Sequence, residues 1–129
     1  KSKYHGELLV GQAELVETEN TEIPFCISAP TMRIPTILTN TPNVYLAAKA
    51  IFALLKKEKR INSVSICGLG TGVGRVPENV CARQMKRAYY DAWQEKYEFP
   101  KNWLEAQIRH QLLYSDKYYD LQKFDYVRD

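Results

Sequence analysis

Ser63-Val64-Ser65-Ile66-Cys67-Gly68-Leu69-Gly70-Thr71-Gly72-Val73-Gly74-Arg75-Val76-Pro77 is the stretch whose reading decides the fold. Its first part, Val64 to Cys67, is a short run with the β-branched content of a buried strand. It empties into Gly68, Gly70, Gly72 and Gly74, and then reaches Pro77, a residue suited to a helix start because its missing N–H costs nothing there. The stretch therefore reads as strand, glycine-rich turn and helix N-terminus. Glycine lets a ligand approach the main chain without striking a Cβ, and the amides of the next helix start favour an anion. The alternative is a tight structural turn. Four glycines within seven residues exceed what such a turn needs, since each costs backbone entropy on folding. The spacing matches neither the G-x-G-x-x-G dinucleotide fingerprint nor the Walker loop, because Val73 or Arg75 falls where the third glycine belongs and no Gly-Lys-Ser/Thr follows.

Outward from this stretch, two amphipathic helices flank it. Upstream, Thr41-Pro42-Asn43 reads as a helix start with threonine as cap. Val44, Ala47, Ala48, Ile51, Leu54 and Leu55 then recur at three- and four-residue steps, and Lys56, Lys57, Lys59 and Arg60 close the last turn. Downstream, a second helix is expected from Pro77 to about Tyr97, with Cys81, Met85, Ala88, Tyr89, Ala92 and Trp93 as its stripe, ended by Pro100. Asn102 with Glu105 resembles a capping pair, opening a third helix to about Tyr114 with Leu104, Ile108 and Leu112 inward. Before the first helix, Gln12 to Thr18 and Ile23 to Ala29 read as two strands joined by a polar turn. Pro24 belongs near the start or edge of the second, and Pro30 to Thr41 is a loop. Lys1 to Leu9 reads as a turn or helix end. The order predicts an α/β domain; its sheet is small for such helices unless strands lie within Lys1 to Leu9, within Pro30 to Leu38, or upstream of Lys1.

The composition narrows the function classes. The 129 residues suit one domain, and 18 basic against 15 acidic side chains, net +3, lack the strong bias of a nucleic-acid binder. No apolar run spans a membrane and no signal-peptide pattern occurs, which points to a cytoplasmic protein. Cys26, Cys67 and Cys81 lack zinc-site spacing and read as small core residues; neither a metal nor a cofactor is called for. His5 and His110 stand apart from any evident nucleophile or carboxylate pair. The last fifteen residues carry Tyr118, Tyr119, Phe124 and Tyr126 among balanced charges, a composition suited to packing on the domain or on a protein partner rather than to stacking bases.

Gly70-Thr71-Gly72-Val73-Gly74-Arg75-Val76-Pro77, between strand and helix, resembles the second phosphate-binding loop of macro domains, and Gly11-Gln12-Ala13 resembles the family's G-x-A strand. Thr41-Pro42-Asn43-Val44-Tyr45 and the Gly68–Gly74 run are similar to a macro-like branch found in phage tail-associated and uncharacterised bacterial proteins. The resemblance covers roughly Gly6 to Trp93. It implies a three-layer α/β/α sandwich with a mixed sheet, here over residues 1–99, followed by a C-terminal helical extension over 100–129. It implies ADP-ribose or a related nucleotide as ligand, held by Gly70, Thr71, Gly72, Val73, Gly74 and Arg75. Two positions depart from the family: Gly74 replaces an aromatic and Arg75 replaces a glycine, and an arginine there either clamps a phosphate or narrows the cleft with its Cβ. No Asn-Ala-Ala-Asn run or early Gly-Gly loop precedes the G-x-A strand, so no catalytic residue is assigned. Two further readings stay open: a structural or interaction module that kept the fold without the ligand, and an ADP-ribosyl hydrolase or ADP-ribose-1″-phosphate phosphatase.

Overall fold

The computed structural model describes residues 3–123. Two strands, β1 (Glu14–Glu17) and β2 (Phe25–Ser28), pair antiparallel with Glu14 opposite Ser28 and Glu17 opposite Phe25. Their turn is organised by Asn20, whose Oδ1 accepts the amides of Glu22 (2.8 Å) and Ile23 (3.0 Å), the Asx geometry that lets a short polar side chain imitate a backbone turn. Pro24 sits just before β2, where it owes the ladder no N–H, and its carbonyl accepts from Thr18 N at 2.9 Å. Neither strand contains a buried residue.

Helix α1 (Asn43–Lys57) buries Val44, Ala47, Ala48 and Ile51, the first four positions of the expected stripe; Leu54 and Leu55 are only half-buried. It begins one residue later than expected, with Pro42 at the cap, so Thr41 offers only a long 3.4 Å acceptor to Asn43 N. Helix α2 (Glu78–Ala88) follows the glycine stretch and widens into one π-type turn over Tyr89–Trp93. It stops well before Pro100. Glu95 has φ 54°, and Lys56 Nζ from α1 donates to the Trp93 carbonyl at 2.7 Å, satisfying one of the groups a helix end leaves open. Tyr89 and Trp93, expected inside, are 40% and 37% exposed, because the wider turn carries them off the face that Cys81 and Ala88 bury.

The core lies where the two helices and the intervening loops meet: Leu38, Val44, Val76, Val80 and Cys81 are buried together, with Met32, Leu69, Met85 and Tyr114 packed around them. Ala47, Ala48 and Ala88 are fully buried, small side chains that let α1 and α2 approach closely. Gln84, also fully buried, joins the two helices. Its Oε1 accepts Tyr45 N at 2.9 Å and its Nε2 donates to the Thr41 carbonyl at 3.0 Å. A neighbouring helix thus supplies the cap that Pro42 cannot. Asp91, two turns on, is buried and accepts from Tyr45 Oη at 2.6 Å, while Arg87 Nε lies 3.2 Å from its other oxygen. Burial first, and then the bond to this carboxylate, push the Tyr45 phenol well above its ordinary range.

Helix α3 (Trp103–Gln111) has the expected cap, with Asn102 Oδ1 accepting Glu105 N at 2.9 Å. Glu105 reaches back to Lys101 N at 2.5 Å rather than to the cap residue itself. Its expected inner face is not internal: no residue of α3 is buried, and Leu104 and Leu112 are 37% and 39% exposed. Arg83 of α2 holds the end of α3 through the carbonyls of Leu112 and Ser115 and an ion pair to Asp116.

Two further expectations are corrected. Ser63 to Cys67 forms no strand among the described residues, and Val64 is 44% exposed: β-branched residues favour strands, but burial requires neighbouring strands or helices on both faces. Cys26 and Cys67 are exposed and only Cys81 is buried: Cys26 lies on the outer face of β2, and Cys67 in a segment that no strand covers among the described residues. No strand forms in residues 3–9 or 30–38.

Candidate functional site

The glycine stretch is a loop folded onto the core by its own hydrogen bonds. Val76 N donates to the Gly70 carbonyl (3.0 Å), Arg75 N to that of Gly72 (3.0 Å), and Leu38 N to that of Gly74 (2.8 Å). The Thr71 hydroxyl turns back on the loop, donating to the Gly68 carbonyl at 2.7 Å. The glycines then divide by role. Gly70 has φ +71°, and a Cβ there would lie 2.9 Å from Val44 Cγ2. A Cβ on buried Gly74 would lie 2.6 Å from the Gly70 carbonyl oxygen and 3.1 Å from Leu38 Cδ1. These two are demanded by the turn and its packing. Gly72 is different, since a Cβ there would meet nothing within 4 Å and its φ is ordinary. Its glycine is not required by the fold.

Of the amides expected to hold a ligand, those of Thr71 and Arg75 are engaged internally, the first at 3.4 Å to the Gly68 carbonyl. The N–H groups of Gly72, Val73 and Gly74 donate to no other described residue. An unpaired amide on a buried residue such as Gly74 costs about 1–3 kcal/mol unless a ligand or water satisfies it. Arg75 follows at φ +55°, the left-handed region that the Cβ of an L-residue disfavours. It is exposed. Arg33, Arg60, Arg83, Arg87 and Arg109 each pair with a carboxylate, whereas Arg75 pairs with none among the described residues. Three open amides and an uncommitted guanidinium therefore stand together ahead of α2.

His5 and His110 are both exposed, the latter edge-on to Tyr114 at 5.6 Å between ring centroids. No three His, Cys, Asp or Glu side chains among the described residues gather as metal ligands. No helix of the described residues is long and apolar enough to cross a membrane. Phe124 and Tyr126 lie outside the described residues. The sequence reading missed the Gln84 and Asp91 bridges. Their signal was present, since the two polar residues stand two turns apart on the stripe that Cys81 and Ala88 bury.

The profile of the macro domain family matches residues 1–85. The chain belongs to the macro domain family, an α/β family known for binding ADP-ribose. It is similar to an uncharacterised protein of Aquifex aeolicus (strain VF5), 40% identical over 76 residues that make up 59% of this chain and 46% of the relative. The chain thus spans about half the length of that protein. No solved structure matches.

Proposed function

We propose that this chain binds ADP-ribose or a related phosphorylated nucleotide through the loop from Gly70 to Arg75. Gly70, Thr71 and Gly74 set the loop's shape, the amides of Gly72, Val73 and Gly74 face the diphosphate, and Arg75 adds the charge. The observation that carries the reading is the run of three consecutive unpaired amides beside an arginine without a carboxylate. Hydrogen bonds to a charged group contribute about 1.5–3 kcal/mol each, so such a cluster is worth a measurable affinity. Residues 1–99 form the macro-like unit of a three-layer sandwich, and 100–129 an extension held on it through Arg83. Calorimetric titration with ADP-ribose tests this: saturable heat is expected, weakened at least tenfold in Arg75→Gly, and no heat at millimolar ligand would remove the proposal.

A second reading, an interaction module without ligand, is favoured by the exposed aromatics Phe99 (85%), Trp103 (74%) and Tyr118 (51%). In that case Arg75→Gly changes stability alone.

A further inference from the structure

Outside the glycine loop, a cavity opens on α3. It measures about 640 Å³ and is lined by Trp103 and His110 of α3, Tyr114 just beyond it, Tyr119 and Leu121 of the returning chain, and Asn40 opposite. Ligand pockets span about 300–1,000 Å³, so the space suits a nucleoside.

The groove is built by two glutamines four residues apart on one face of α3. Gln111 accepts Tyr119 N at 2.7 Å and donates to the Tyr119 carbonyl at 2.9 Å; Gln107 accepts Leu121 N at 2.9 Å and donates to Asp120 Oδ1 at 3.3 Å. Both amides are consumed in pinning the returning chain. What they leave facing the groove is flat and apolar, with polar groups at its margins in Asn40, His110 and Lys117. Its lining includes a cation and no carboxylate, a balance that tolerates an anionic ligand and does not attract a metal.

The groove adjoins the loop. Leu38, whose N–H donates to the Gly74 carbonyl, opens the turn closed by Thr41 N on its own carbonyl (3.2 Å), and Asn40 sits within that turn. Two residues reach at most about 7 Å. On the other wall, Tyr114 packs against the cluster containing Leu38, Val76 and Val80. Apart from Asn40, the lining residues lie beyond residue 85, where the family match ends.

We infer that this aromatic groove receives the nucleobase of the nucleotide whose phosphates rest on the glycine loop, so that the C-terminal helix completes the site. The inference rests on the ligand reading above. A base stacks on an aromatic ring whatever its sequence identity, and Trp103 offers the largest and most exposed ring of the groove. The ring is 74% exposed, so its removal leaves the core intact.

The test is calorimetry on the full chain with two probes, ADP-ribose and ribose 5-phosphate, in the wild type, Trp103→Ala, Trp103→Phe and Arg75→Ala. Trp103→Ala is expected to weaken ADP-ribose about five- to a hundredfold, the range stacking commands, and to leave ribose 5-phosphate unchanged. Trp103→Phe should recover most of the loss, and Arg75→Ala should weaken both probes. If Trp103→Ala leaves ADP-ribose affinity unchanged while Arg75→Ala lowers it, the groove is not the base site although the phosphate site stands. Equal losses for both probes in Trp103→Ala would also overturn the groove, since a base contact cannot act on a ligand without a base. Absence of binding by either probe to the wild type overturns the phosphate site and the groove together.

Discussion

Two regions of this molecule are held in different ways. Around the glycine loop, α1 and α2 enclose fully buried alanines, a buried glutamine and a cluster whose members Leu38 and Val44 are each 1% exposed. In the β1–β2 pair and in α3, no residue is buried at all; what fixes them is capping, ion pairs and side chain–backbone bonds such as those of Asn20, Arg83, Gln107 and Gln111. The difference teaches where precision is kept. The loop with the open amides is laid on the fully buried core of the described residues, whereas the aromatic wall of α3 rests on polar ties.

The sharpest way to break this comparison is to remove equal leucines from the two regions. Leu38→Ala is expected to cost about 3 kcal/mol of unfolding free energy, because a fully buried leucine leaves a cavity. Leu104→Ala, more than a third exposed, should cost less than about 1 kcal/mol by the same urea titration. Similar losses would mean that α3 is as deeply packed as the loop. Within the loop, Gly74→Ala is expected to cost about 2 kcal/mol from the close approach to the Gly70 carbonyl, while Gly72→Ala should shift stability by no more than about 0.5 kcal/mol. Thermal melts of the pair separate a structural glycine from one kept for access.

Arg75→Gly should act in opposite directions on two properties. Relief of the left-handed conformation is expected to raise stability by about 1 kcal/mol, while affinity for ADP-ribose falls. Affinity that does not fall contradicts the assignment of Arg75 as the ligand's charge partner, and stability that falls contradicts the relief of its backbone. The smallest effect concerns the far end of α1. There the Arg60 side chain, and then its amide, hold the Glu58 carboxyl down at about 2 against 4.5 in a free chain. A lowered carboxylate favours the folded state above the free-chain value and loses that contribution as pH falls through the folded one. The wild type should therefore weaken between about pH 4.5 and 2 by a little more than Glu58→Gln does, and less so in high salt.

Much of this was legible before any coordinates. The stripe Val44, Ala47, Ala48 and Ile51 has one helical period and one physical meaning, and Asn102 followed by Glu105 announces its cap. The two short strands were marked by their polar turn and by Pro24. Other features depended on what lies next to a residue rather than on the residue. Val64 and Ile66 have strand character, but they pair with no strand among the described residues. Leu104 and Leu112 have helical spacing, but the described residues cover them only in part, leaving each more than a third exposed. The candidate loop was visible in its glycines. Which amides stay open was not, since that depends on bonds to the carbonyls of Gly68, Gly70 and Gly72, and the left-handed backbone of Arg75 is likewise a product of that closure.

The central claim, that open amides of the glycine loop receive the phosphates of a nucleotide, is tested most directly by following the backbone amide resonances during addition of ADP-ribose. The signals of Gly72, Val73 and Gly74 should move together and saturate, with those of β1 and β2 unchanged. Signals of these three residues that stay fixed at millimolar ligand, or shifts confined to other parts of the chain, would contradict it.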